Sequence, residues 1–401
     1  MSEYAFLLTL ALFLYLLECA VWVPADSYAF RLFPSRRSPA RLISNVHVDA
    51  GPSVKFSFPL SLRGGISICA PIPFAISPLG IALSRPPSSN KKLISVEHIS
   101  GVFIPYEEIH SLTHSQKTLL INELSVATNS ETQALYLEGL LGRLRKCRPQ
   151  NRPAEIERAL AAQMNISHVL SRLKHYRKET TGVALGSAAF MIAIFCVSPP
   201  LVWKWGITAV WPLIVGILIL CAAGIAGEFY SAHISLFPDA REKRWTSIAM
   251  ILLSPPSALH ASKFLARDLL IRFHPVAVAA AEGPKENFRK LISWMLRDLT
   301  FGLHQTVDMD RQVAEAINWH RGQVRRLLTD LAKELGEDPT SLVAPPPAES
   351  PRVRTYCPRC WSQYVLADGF CSDCEGVELA SYESSPRSSN RAPAQTNSAE
   401  S

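Results

Sequence analysis

Apolar residues run without a charged break in two stretches of the chain, Gly182 to Trp203 and Ile207 to Gly227, and with a single late glutamate, Glu18, in a third, Tyr4 to Val23. A hydrocarbon core needs about 20 such residues, so the pattern predicts a transmembrane anchor at 4–23 and transmembrane helices at 182–203 and 207–227. The loop between the last two is too short for anything but antiparallel neighbours. Gly182, Gly186 and the run Ala222-Ala223-Gly224 through Gly227 offer small faces on which they can approach closely. Trp203, Trp205 and Trp211 bracket that loop and read as headgroup-level anchors. Met1-Ser2-Glu3 lacks the positive start of a signal peptide, so the first segment reads as an uncleaved anchor.

The polar regions change period along the chain. Val54, Phe56, Phe58, Leu60 and Leu62 alternate up to Arg63-Gly64-Gly65, and Ile66 and Ile68 resume the alternation, a hairpin pattern. Five or six short strands are expected between Leu42 and Ile104, making 24–110 a β-rich module. Pro71, Pro73, Pro78 and Gly80 keep the uncharged run 66–84 from forming a helix. A helical region is expected over 111–181. Thr113 with Gln116 resembles a capping box for a helix reaching Val126, Ser130 caps a second to Cys147, and Pro153 starts a third that runs into the second span.

After the spans, Pro255-Pro256 interrupts an apolar stripe through Leu259, Phe264, Leu265, Leu269, Leu270 and Phe273, which predicts an interfacial or half-embedded segment over 245–273. Helices are expected across 284–336: one opening at Gly283-Pro284, and one from about Met309 to Leu335 that Gly336 and Pro339 stop. Residues 337–354, with Pro345-Pro346-Pro347, read as a semi-rigid linker, and 382–401 as a disordered tail.

Charge adds orientation. Arg31, Arg36, Arg37 and Arg41 follow the first apolar segment, Arg172, Lys174, Arg177 and Lys178 precede the second, and Arg241, Lys243 and Arg244 follow the third, with only Lys204 in the loop. The positive-inside rule then places the N-terminus outside and both polar regions and the C-terminus in the cytoplasm, an inner-membrane topology. The composition agrees: 48% hydrophobic and 19% charged residues, with mean hydropathy +0.11, exclude a largely disordered or disulfide-stapled chain. A net charge of +7 over 401 residues does not by itself call for nucleic acid, and none is expected as a partner.

Four of the nine cysteines fall within eighteen residues, as Cys357-Pro358-Arg359-Cys360 and Cys371-Ser372-Asp373-Cys374. Zinc takes four thiolates tetrahedrally, and two CxxC knuckles around a turn at Asp368-Gly369 can supply them to one ion. A disulfide pair is disfavoured in a reducing compartment, and a thioredoxin-like site would want its CxxC at a helix start after a strand. The segment 357–379 resembles a short zinc ribbon found at the ends of many bacterial proteins, with Tyr364, Gly369, Asp373, Val377 and Leu379 at the matching positions. Trp361 and Glu375 replace the glycine that usually follows each knuckle in that family. The resemblance implies a ribbon over 355–381 holding one structural zinc per chain.

Glu107, His110 and His114 are spaced to share one helical face and form a second, weaker candidate metal site. No P-loop, dinucleotide fingerprint, nucleophile elbow or zincin motif occurs. The fold expected is therefore an α-helical multi-pass membrane protein with a β-rich then helical cytoplasmic region and a small C-terminal zinc ribbon. The function expected is an interaction or scaffold component at the cytoplasmic face, touching membrane lipids and a protein partner, with no catalytic residues. The alternative is a membrane-bound metalloenzyme or transport-complex component that uses the region before the second span.

Overall fold

The structure is a computed structural model that describes residues 3–22, 40–47, 51–57, 65–68, 72, 74–83, 101–128, 130–238, 241–282, 285–301, 310–374 and 377–382. Arg31, Arg36 and Arg37, the Arg63-Gly64 turn, Gly283-Pro284, Glu375 and the tail beyond Tyr382 lie outside them. The protein is mostly helical, with several three-stranded sheets, and divides into two units: residues 1–74 with 104–288, and residues 75–103 with 289–401.

In the first unit, α1 (Glu3–Trp22) precedes an antiparallel sheet of β1 (Ala40–His47), β2 (Gly51–Ser57) and β3 (Gly65–Ile68). Val54 pairs with Leu42 and Ile68, and Phe56 with Ala40 and Ile66, the hairpin register that the alternation predicts. Two further short strands, β4 (Ala75–Ile76) and β5 (Gly80–Leu83), belong to the second unit, and β6 (Val102–Pro105) completes six strands up to Pro105.

The helix expected over 113–126 is instead a meander of β7 (Leu112–Ser115), β8 (Thr118–Ile121) and β9 (Leu124–Ala127). Gln116 and Asn122 turn the chain in the left-handed region, at φ 50° and 53°. Asn122 fixes its turn with its side chain, accepting from the backbone N–H groups of His110 (2.9 Å) and Ser111 (3.1 Å) and donating to the Glu108 carbonyl (2.9 Å). With both turns made, Leu119 and Ile121 bury together on one face of β8, a strand period that overrides the local capping pattern. The β-rich stretch therefore ends at 127 rather than 110. The meander lies against α2 (Glu131–Lys146), whose Leu137, Leu140, Leu141 and Leu144 are fully buried. Ser130 caps α2 as expected, its Oγ accepting from the Gln133 N–H at 3.1 Å.

The single helix expected from Pro153 into the membrane is two. α3 (Arg152–Gln163) ends at Met164, and Asn165 caps α4 (Ile166–Ile192) by accepting from the His168 N–H at 2.8 Å. A π-helical turn at Ala193–Val197 carries α4 into α5 (Ser198–Trp205), just where Pro199 and Pro200 lack the N–H groups an α-helical ladder would need. The rod Ile166–Trp205 is thus 40 residues long, reaching well below the predicted span. Gly206, at φ +80°, reverses the chain into α6 (Ile207–Leu236), 30 residues long.

These two helices are long and apolar enough to cross a membrane; the apolar part of α1, Glu3–Leu17, is shorter. Among the described residues, two helices are thus long and apolar enough to cross a membrane. α4 packs closely on α6: a Cβ at Gly186 would stand 2.9 Å from Ile225 Cγ1, and one at Gly182 would overlap the Glu228 carboxylate.

α7 (Arg241–Leu253) and α8 (Ser257–Leu270) are separated at Ser254–Pro256, the break that Pro255-Pro256 predicts, and α9 (Pro275–Glu282) follows. α8 lies against α4 and α6, with the buried Tyr176 hydroxyl donating to the Ser262 carbonyl at 2.9 Å.

In the second unit, α10 (Lys285–Phe301), which begins within the first unit, is followed by α11 (Arg311–Glu334) and α12 (Pro339–Val343). β4 and β5 pack on α11 through Ala75, Ala82, Val313, Ala316 and Ile317. Gly336, at φ +75°, ends α11, while Pro339 opens α12 behind its cap Asp338 instead of merely stopping α11. The stretch read as a linker thus carries a helix. It is also tied down: Ser293 Oγ donates to the Leu342 carbonyl at 2.5 Å, and Arg289 pairs with Glu337 at 2.7 Å.

His320 on α11 supplies a pH prediction. Its Nδ1 is shut off from solvent with no hydrogen-bond partner among the described residues, and burial, aided by neighbouring Arg321, lowers its pKa to about 4. An unfolded histidine takes its proton near pH 6.5, so between the two values the unfolded state binds more protons and stability falls as pH falls. Thermal unfolding followed from pH 7 to pH 4 is expected to show this loss, at most about 1.4 kcal/mol per pH unit, with a flatter profile in His320→Leu.

Candidate metal centre

The C-terminal module is built on a three-stranded sheet of β10 (Thr355–Tyr356), β11 (Gln363–Tyr364) and β12 (Ala380–Ser381), with β10 in the middle. In the first knuckle the Cys357 N–H donates to the Ser362 carbonyl and the Trp361 N–H to the Cys357 carbonyl, both at 2.9 Å. Trp361 takes φ +66°, a left-handed conformation that a residue other than glycine adopts at a conformational cost. In the second, the Cys371 N–H donates to Val377 (2.8 Å) and the Leu379 N–H to Gly369 (2.9 Å), with Gly369 at φ +125°.

These bonds gather the four sulfurs: Cys357, Cys360, Cys371 and Cys374 place their Sγ atoms within 4.8 Å of one another. Cys360 and Cys371 are 3.6 Å apart. Four thiolates at tetrahedral angles and bonds of about 2.3 Å would stand about 3.8 Å apart, so the set fits a single ion. Cys357 and Cys371 are buried with Val377 and Leu379, and Tyr364 covers them. That cluster is a very small core, as expected of a module that leans on a metal.

The thiols are electrostatically unequal. Burial pushes the Cys357 thiol up to about 11 and drives Cys374 upward as well, where the neighbouring sulfurs add to the effect. Burial also opposes ionisation of Cys371, but the Tyr364 hydroxyl, 3.2 Å from its sulfur, and the backbone amides of Asp373 and Cys374 outweigh it and bring the thiol down to about 7. Four anionic sulfurs this close repel one another, and a divalent cation among them reverses that balance.

The second candidate set is not brought onto one helical face. Glu107 sits in the 3₁₀ turn Tyr106–Glu108 and pairs with the buried Arg152 at 2.8 Å, which lowers its pKa. His114 lies on β7 with its Nδ1 2.5 Å from Glu138, and His110 lies between the two elements. Their spacing was meaningful only on a helix, and the chain is extended there. The tetracysteine cluster is the metal-competent group found among the described residues.

Sequence reasoning missed the surroundings of the cysteines. Gln363 ties the preceding segment to the module, donating to the Pro347 carbonyl (3.0 Å) and accepting from the Glu349 N–H (2.9 Å). Arg359, inside the first knuckle, forms a two-nitrogen contact with Asp298 of α10 at 2.8 and 3.0 Å. Arg297 stacks on Trp361, its Cζ 3.5 Å from the ring centroid. Arginine placed within a knuckle was the one visible signal.

Fold and site together define a mostly helical chain with two helices of membrane-crossing length and a tetracysteine cluster able to hold a metal ion. No protein-family model, curated protein or solved structure matches it.

Proposed function

We propose that the chain is a multi-pass inner-membrane protein whose C-terminal zinc ribbon, held at the cytoplasmic face, serves protein interaction. The convergence of four sulfurs on one point carries this reading. A closed four-thiolate site leaves no position for water or substrate, so its zinc, one per chain, is structural and the ribbon's role is to present a surface. Val365, Leu366 and Phe370 on the ribbon are largely exposed, an unusual apolar display for so small a module. α1 acts as a further anchor, outside-in.

Two measurements test the reading. Reporter fusions after Gly142 and after Ser350 should both give cytoplasmic signals, and one beside Lys204 the opposite; an external signal at either of the first two refutes the topology. Affinity recovery of partners with the full chain, but not with a chain ending at Ser350, is the expected result for the interaction role. Recovery of the same partners by both refutes it.

A second reading, a membrane-bound metalloenzyme or transport component, draws on a cavity of about 600 Å³ in the first unit, lined by His114, Tyr136, His168, Arg172, Asp268 and Arg272 among others. Metal in excess of one ion per chain, lost on replacing His110 and His114, would favour it.

A further inference from the structure

The proposed zinc ribbon does not stand free of its unit. Three arginines and one aspartate join it to α10 and α11. Asp298 Oδ1 accepts from Arg359 of the knuckle at 2.8 and 3.0 Å, and Asp298 Oδ2 lies 3.5 Å from Arg321 Nη2 of α11. The same Arg321 nitrogen donates to the Asp298 carbonyl at 2.5 Å. Arg297, buried at 6% exposure, donates to the Arg359 carbonyl at 2.8 Å and stacks on Trp361. All three guanidiniums are largely covered, and one carboxylate cannot neutralise them. Among the described residues their only carboxylate contact is Asp298, in a place where unpaired charge is costly.

The missing negative charge stands next to them. A divalent ion in four thiolates is a dianion, and Arg359 lies between two of its ligands, while Arg297 feels the charge of Cys357, Cys360 and Cys374. Trp361 makes the contact possible: at the position where the ribbon family has glycine, it supplies the aromatic face on which Arg297 lies.

We propose that metal loading of the tetracysteine site is an electrostatic latch: the dianionic centre neutralises the Arg297–Arg321–Arg359–Asp298 cluster and holds the ribbon on α10 and α11, and loss of the metal releases it. This rests on the reading of the cysteines as a metal site and adds to it that occupancy is communicated to the helices. Without the divalent ion the compact dianionic centre beside Arg297 and Arg359 is lost, and the cluster keeps its excess of positive charge. The ribbon then parts from the helices and uncovers Trp361. Linkage makes the coupling reciprocal: arginines that favour docking in the loaded state must also tighten metal binding.

The test uses the full chain in detergent. Zinc affinity is read by competition with a chromophoric chelator, and hydrogen exchange of residues 293–301 and 318–325 is followed by mass spectrometry with and without zinc. Zinc removal should raise exchange in both helical segments, which contain no ligand. Arg297→Gln and Arg321→Gln should each weaken zinc binding about tenfold, and Arg297→Lys should recover most of the loss because it restores the charge. Helical exchange indifferent to zinc, or variants that bind zinc as tightly as the unaltered chain, would overturn the latch while leaving the ribbon a metal site. A chain that binds no zinc at all would instead overturn the reading on which the latch rests.

Discussion

Replacing Cys371 with serine is expected to remove zinc from the chain under mild chelation while leaving the protein in the membrane. Cys371 lies 3.6 Å from Cys360 and 3.2 Å from the Tyr364 hydroxyl, which with the backbone amides of Asp373 and Cys374 brings its thiol down to about 7. Serine offers a hydroxyl that does not ionise near pH 7 and a shorter side chain, so the site falls to three ligands. Structural zinc sites of this kind contribute about 10–16 kcal/mol to folding their module, far more than the few apolar side chains of the ribbon can. Zinc per chain after dialysis against a chelator should fall from one to nearly none, and residues 355–382 should become protease-sensitive. Membrane retention should not change, because α4 and α6 satisfy their own backbone hydrogen bonds. A Cys371→Ser chain that keeps its zinc through the same dialysis would refute this assignment.

Gly186→Leu is the second change with a large expected effect. Its Cβ would stand 2.9 Å from Ile225 Cγ1, and the remaining side chain would have to enter the seam between α4 and α6. Ile225 is branched and buried at 1% exposure, so it cannot step aside, and the two helices must separate. Overpacking of this kind costs about 1–3 kcal/mol, read as a lowered thermal midpoint of the detergent-solubilised protein. Gly182→Ala supplies the contrast. Its Cβ meets the Glu228 side chain from the carboxylate back to Cγ, but that side chain is exposed and flexible and can swing away, so a smaller change is expected. Equal destabilisation by the two substitutions would contradict the packing described.

The contrast between these positions also bears on what was legible in the chain. Helices of membrane-crossing length are written in uninterrupted composition, and the Ser130 cap of α2 and the glycine that ends α11 are local signals with local causes. The four cysteines are equally local, each pair two residues apart. The meander of β7 to β9 escaped because its turns use Gln116 and Asn122 at positive φ where glycine would have announced them, while Thr113 and Gln116 imitate a helix cap. Glu107, His110 and His114 share no helical face because the chain there is a 3₁₀ turn followed by an extended strand. The cluster joining the ribbon to α10 was hidden for another reason: Arg359 and Asp298 are 61 residues apart, and nothing in either one's neighbourhood names the other.

The four cysteines are proposed to hold one zinc. The most direct measurement is X-ray absorption at the zinc edge of full-length protein purified anaerobically, together with its metal content. One zinc per chain surrounded by four sulfurs at about 2.3 Å is expected. Absence of metal with stoichiometric disulfides among Cys357, Cys360, Cys371 and Cys374, or a zinc shell dominated by nitrogen and oxygen, would contradict it.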